Sequence, residues 1–148
     1  MRKAFPILLA SLLLALSVVA ASFGMADIYR DEAATLMGEW GGIAGDEGPP
    51  AWAWEQVHRY RWLASHLEPF GAQVKGDLGQ LYERRLGDAP APDAANLERA
   101  LDYYREALML RPAWPYAWAD VALLKITQQR LDAEFALAMQ RALTLGPW

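Results

Sequence analysis

The chain contains no cysteine. That excludes a lipoprotein acceptor, a disulfide frame and any thiolate metal site, and it leaves the redox compartment open. Histidine is almost as scarce. His58 and His66 are the only two, and no clustered carboxylate joins them at metal-ligand spacing, so no metal is expected. Positive charge is in deficit as well: 14 Lys and Arg stand against 18 Asp and Glu, for a net charge of −4. Without Arg2 and Lys3 the balance is 12 against 18, or −6, and the basic footprint of a nucleic-acid binder is missing. No Gly-rich phosphate loop follows a strand pattern and no Gly-x-Ser-x-Gly occurs, so no cofactor is expected. Glu55, Glu68, Asp77 and Glu83 could supply the carboxylate pair of a glycosidase. That chemistry needs two carboxyls held a definite distance apart across a cleft, and nothing in their spacing requires it. No catalytic residue is assigned.

Charge is wholly absent from residues 4–26, behind a basic Met1-Arg2-Lys3. These 23 uncharged residues exceed the roughly 20 that an α-helix needs to cross a hydrocarbon core of about 30 Å. The basic end stays cytoplasmic and the remainder is exported. Two fates compete: retention as a signal anchor, or cleavage after a small-x-small site such as Val19-Ala20-Ala21 or Gly24-Met25-Ala26. The length and the Phe23-Gly24-Met25 continuation favour a single-pass anchor in the inner membrane.

With 148 residues the chain allows one domain beyond that segment, of about six helices. Residues 27–36 could extend the anchor helix, with Ile28, Tyr29 and Leu36 as its apolar side. Gly41-Gly42, Gly45, Gly48 and Pro49-Pro50 then mark residues 38–50 as a flexible linker that detaches the remaining helices from the membrane. The expected division is therefore 1–26 anchor or signal, 27–50 juxtamembrane segment and linker, and 51–148 helical domain. Residues 52–67 read as a helix with two possible faces: Trp54, Val57, Arg61 and Ala64, or Trp54, His58, Trp62 and Ser65. Pro69-Phe70-Gly71 breaks it; Val74, Leu78, Leu81 and Tyr82 give the next helix, and Asp93 is the expected cap of the one after.

The most informative stretch is 96–148, where a helical pattern is stated and repeated. Ala100, Tyr104, Ala107, Leu108, Leu110 and Pro112 return thirty-five residues on as Phe135, Met139, Ala142, Leu143, Leu145 and Pro147. A self-match at this period marks stacked helix pairs, each burying its apolar face on its neighbours. Alanines at 100 and 107 let a neighbouring helix approach closely, Tyr104 fills the volume beside them, Pro112 stops the helix, and Pro115 can start another. The line Ala100-x3-Tyr104-x2-Ala107-x4-Pro112 resembles the second helix of a tetratricopeptide repeat, and Leu78-Gly79-x2-Tyr82 resembles a first helix, followed by an insertion around residues 87–92. Trp118, Val121 and Ala122 fall where that family prefers Trp, Leu and Gly, whereas Lys125 departs from its Tyr. The expected fold class is all-α: an N-terminal transmembrane helix followed by a short tetratricopeptide-like α-solenoid.

A narrower resemblance covers nearly the whole chain. Tyr103-Tyr104-Arg105, Trp114-Pro115-Tyr116-Ala117-Trp118-Ala119, Asp132-Ala133-Glu134-Phe135 and Leu145-Gly146-Pro147-Trp148 look like the VpsP-type proteins associated with exopolysaccharide biosynthesis. The resemblance implies a membrane-anchored, periplasmic adaptor that binds protein partners of a polysaccharide assembly system, with glycan as a possible ligand and no nucleic acid. It also implies a chain continuing past Trp148, so that either a C-terminal helix is missing or the last helix stands unprotected. A soluble periplasmic binder of peptide or glycan, released by cleavage, and a glycan-acting enzyme are the alternatives.

Seven tryptophans are the one unusual count. Exposed rings could stack on sugars; the simpler expectation is that Trp52, Trp54, Trp62, Trp114 and Trp118 fill core, with Trp114 and Tyr116, at a loop-to-helix junction, the better candidates for exposure. In the tetratricopeptide register, first-helix positions 2, 5, 9, 12 and 13 line a concave groove. These are Gln73, Gly76, Gln80, Glu83 and Arg84 in one unit and Tyr116, Ala119, Leu123, Ile126 and Thr127 in the next. Such a mixed surface suits a helix or peptide. The row Tyr116, Leu123 and Ile126 could instead be covered by the helix around Trp54.

Overall fold

The computed structural model describes residues 4–43, 49–84 and 94–146, and all its regular elements are helices: α1 Ala4–Ile43, α2 Ala51–Leu67, α3 Ala72–Arg84, α4 Ala94–Leu110, α5 Pro115–Thr127 and α6 Ala133–Leu145. They pack as three hairpins, α1 on α2, α3 on α4 and α5 on α6, with α2–α3 and α4–α5 contacts joining one hairpin to the next. The arrangement is that of a short solenoid. Asp93 and the insertion at 87–92 lie outside the described residues, as do Pro147 and Trp148.

α1 is a single helix with two halves. From residue 6 to 25 every residue but Ser22 is exposed, and the helix is long and apolar enough to cross a membrane. From Ala26 onward it becomes part of the domain: Ala26, Ala33, Met37 and Trp40 are buried, Tyr29, Arg30 and Leu36 are half-buried, and Ile28 faces solvent. Steps of seven, four and three residues put the buried set on one stripe. The expected linker is thus shorter at its start, because helix runs through Gly38 to Ile43. Glycine inside a helix costs about 1 kcal/mol, and burial of Met37 and Trp40 against α2 offsets more than that. Instead of detaching the domain, this stretch belongs to its core.

α2 uses the first of its two candidate faces: Trp54, Val57, Arg61 and Ala64 are buried, while Trp62 is exposed. The chain turns at residues 68–71, where Glu68 N–H donates to Ala64 O and Gly71 N–H to Glu68 O. α3 and α4 pack tightly at Gly79, where a Cβ would stand 3.0 Å from Tyr104 Cε1. Their core joins Leu81, Leu97, Ala100, Leu101, Tyr104 and Leu108 to Ala117, Val121 and Leu124 of α5. Trp118 packs against this core and its Nε1 donates to Pro112 O at 2.8 Å, closing the α4–α5 turn.

At the end of the solenoid, α6 departs from the repeat pattern. Ala138 and Ala142 are its buried residues, Phe135 is half-buried, and Met139 and Leu143 are exposed. The motif's second copy carries the first copy's letters without its burial, because α6 packs mainly on α5 and no described helix covers its other side. Charge holds it in place. Lys125, 1% exposed, reaches Asp132 Oδ2 at 2.7 Å and Glu134 Oε2 at 2.6 Å, and Arg105 of α4 holds Glu134 through Nε and Nη2. Asp132 also caps α6 by accepting from Phe135 N–H. The departure from Tyr at Lys125 is therefore matched by two carboxylates at the start of the next helix.

Candidate partner-binding groove

A groove of about 730 Å³ opens between α3 and α5, over Tyr104 of α4. Gln73, Gly76, Asp77 and Gln80 form one wall, and Trp114, Pro115, Tyr116 and Asp120 the other, with Arg111 at the end. Gly76 sets its width. A Cβ there would come within 2.7 Å of Trp114 Cη2, so any larger residue would displace the indole. Arg111 covers the Trp114 ring at 5.6 Å from its centroid.

The floor is acidic and partly buried. Tyr104 O–H donates to Glu83 Oε2 at 2.9 Å. Burial, with the nearby negative charge of Glu83 as the lesser cause, pushes the Asp120 carboxyl up to about 7. Burial, and then these two carboxylates, hold the Tyr104 hydroxyl well above the ordinary tyrosine range. On the α3 wall, Asp77 is already engaged: it accepts from Arg30 Nε at 3.1 Å and from Gln73 Nε2 at 3.0 Å. Behind it Arg61 is 5% exposed, and its Nη1 has no hydrogen-bond partner among the described residues. Burial lowers its pKa, against the opposing pull of Asp77.

Of the groove residues expected from the repeat register, the structure brings Gln73, Gly76, Gln80 and Tyr116 to one groove. Glu83 sits beneath it through Tyr104, and Arg84 is exposed at the end of α3. Leu123, Ile126 and Thr127 are further along α5 and do not line it: Leu123 and Ile126 are exposed, and Thr127 borders a separate, smaller depression with Glu98 and Arg130. Ala119 is half-buried. Trp54 does not cover that row: it is buried beside His58 and Tyr82. Trp114 is half-buried in the groove wall, not exposed, and among the described residues the exposed tryptophans are Trp52 and Trp62. Asp77, considered only as a candidate carboxylate, and Asp120 were not expected in the groove, although each lies four residues beyond an expected groove residue, Gln73 and Tyr116, and so on the same face.

Among the described residues no group of three His, Asp or Glu is placed to hold a metal ion. Fold and groove together define an all-helical chain of stacked hairpins carrying one apolar N-terminal helix, with an open groove rather than an enclosed pocket. No family model matches the chain and no curated protein matches it.

Proposed function

We propose that this protein is a membrane-anchored adaptor that holds a segment of a partner protein in the α3–α5 groove, on the periplasmic side of a bacterial inner membrane. The groove carries the reading. About 730 Å³ accommodates several side chains of a peptide or helix, amides at Gln73 and Gln80 offer backbone hydrogen bonds, and Trp114 and Tyr116 offer an apolar edge. Retention in the membrane is supported by a helix that passes from its exposed apolar half into the core without a break. A role in exopolysaccharide synthesis or export is supported by the sequence resemblance, chiefly the string from Trp114 to Ala119. Photo-crosslinkers at Gln80 and Tyr116, in the full chain in native membranes, test the groove. The expected result is one shared protein adduct at both sites, lost in Trp114→Ala and absent from a crosslinker at Arg141 on α6. Adducts that are equally strong at Arg141 would refute it. N-terminal sequencing of the same membranes tests the anchor, since a mature start near Ser22 or Asp27 means a released periplasmic binder.

A glycan-acting enzyme is the second reading, favoured by one observation: Asp120, titrating near neutrality, beside Glu83 under an aromatic wall. Glycan turnover abolished by Asp120→Asn and by Glu83→Gln would support it over the adaptor.

A further inference from the structure

The α1–α2 pairing fixes where the rest of the domain sits along the apolar helix. Tyr29 stacks on Tyr60 with ring centroids 5.8 Å apart, and Ala26 packs with Ala64. The two helices are antiparallel, so each step forward along α2 matches one step back along α1. Continued in that register, Leu67 lies beside Phe23 and the turn at 68–71 lies beside Ser22. An independent sign agrees: between residues 6 and 25, Ser22 alone is half-buried.

Ser22 stands five residues before Asp27, the first charge after the apolar stretch, and thus about 7 Å nearer the membrane centre at 1.5 Å per residue. The tip of the turn is Phe70, 83% exposed; Trp62, 45% exposed, lies eight residues earlier on α2, with the ring of His66, one helical turn below it, against it at 3.9 Å. Glu68, the one charged residue of the turn, is half-buried: its Cδ stands 2.6 Å from where a Cβ on Gly71 would be, and its charge acts on Arg30. The turn therefore projects an aromatic ring and keeps its one charge half-covered, at the level where the neighbouring helix is wholly apolar. Aromatic side chains at this depth are the usual anchors of the membrane–water boundary.

We propose that the 68–71 turn is a second membrane contact, with Phe70 inserted at the headgroup–acyl boundary of the bilayer that α1 crosses and Trp62 at the headgroup level. The inference rests on α1 crossing that bilayer. Its occupant is lipid, because the contact continues the exposed apolar surface of α1 sideways. Two attachment points on different helices hold the domain against rotation about the α1 axis.

The absence of native cysteine makes the test direct. Single variants Phe70→Cys, Leu13→Cys and Ala94→Cys, each carrying an environment-sensitive fluorophore, are placed as full chains in phosphatidylethanolamine–phosphatidylglycerol vesicles with nitroxide-bearing lipids. The expected result is a blue-shifted emission and lipid-nitroxide quenching at Phe70 and Leu13, with neither at Ala94, which starts α4 at the end of the α3–α4 hairpin away from the turn. Quenching at Leu13 with Phe70 as unquenched as Ala94 overturns the inference and leaves the anchor standing. A Leu13 label that no lipid nitroxide reaches refutes the anchor and this contact with it. Phe70 is too exposed for its replacement to unfold the chain, so all three outcomes are readable.

Discussion

The clamp on α6 makes a prediction whose order of effects differs from a count of its bonds. Lys125 is buried and its two anions are not: Asp132 and Glu134 keep 43% and 33% of their side-chain surface. In Lys125→Met the aliphatic stem is preserved, and both carboxylates stay solvated or paired, Glu134 with Arg105 and Asp132 with Phe135 N–H. The ammonium's desolvation cost disappears with its bonds, so the net loss is about 1–2 kcal/mol. The opposite change is worse. Asp132→Asn with Glu134→Gln keeps a usable helix cap but strands a buried ammonium, at about 3–5 kcal/mol.

Equilibrium urea unfolding of the full chain in detergent, followed by tryptophan fluorescence, gives the ranking, and hydrogen exchange of α6 locates it. Lys125→Met should be milder than the double acid variant and should restore most of the stability when added to it. A triple variant no more stable than the double would refute the reasoning. The pH dependence has a fixed sign. Hydrogen bonds, that from Arg105 first, lower the Glu134 carboxyl to about 2 from 4.5. Its contribution is present above 4.5 and is lost as pH falls toward 2, so α6 exchange should accelerate in that window.

Single groups elsewhere give two further outcomes. Asp120 binds a proton in the folded state that the unfolded chain has released, so stability falls as pH rises from 3.8 to about 7, with the penalty complete above it. Glu83 from α3 and Tyr104 from α4 face it, and Arg111 lies at the groove's end. Asp120→Asn should flatten that window and add about 1–2 kcal/mol at pH 8, after discounting for partial exposure; an unchanged pH profile of the melting temperature would contradict it. For glycines the sign depends on space. Gly38→Ala meets nothing within 4 Å and should stabilise by about 0.5–1 kcal/mol, whereas Gly79→Ala presses on the buried Tyr104 ring and should destabilise by about 1 kcal/mol despite its better helix propensity. Destabilisation by Gly38→Ala would mean that α1 does not continue as helix there.

What could be read from the chain was what one helix states about itself. Ala100, Tyr104, Ala107 and Pro112 fix a helix, its buried side and its end, and those residues behave as their spacing implies. The groove was half legible for the same reason: Gln73, Gly76, Gln80 and Tyr116 follow from the repeat register, but Leu123, Ile126 and Thr127 would need the groove to run the length of α5. What was hidden depends on a partner helix. Gly38, Gly41 and Gly42 look like punctuation until α2 is beside them, when Met37 and Trp40 acquire something to bury against. Lys125 looks like a flaw in a packing position until Asp132 and Glu134 arrive from the next helix. Pro69-Phe70-Gly71 announces a turn, yet the level of that turn is a property of two helices in register, set by Tyr29 on Tyr60. A local pattern fixes which way a side chain faces, and only a neighbouring element fixes what it faces; Phe70, facing outward beside an uncovered apolar helix, is the residue on which that difference carries the proposed membrane contact.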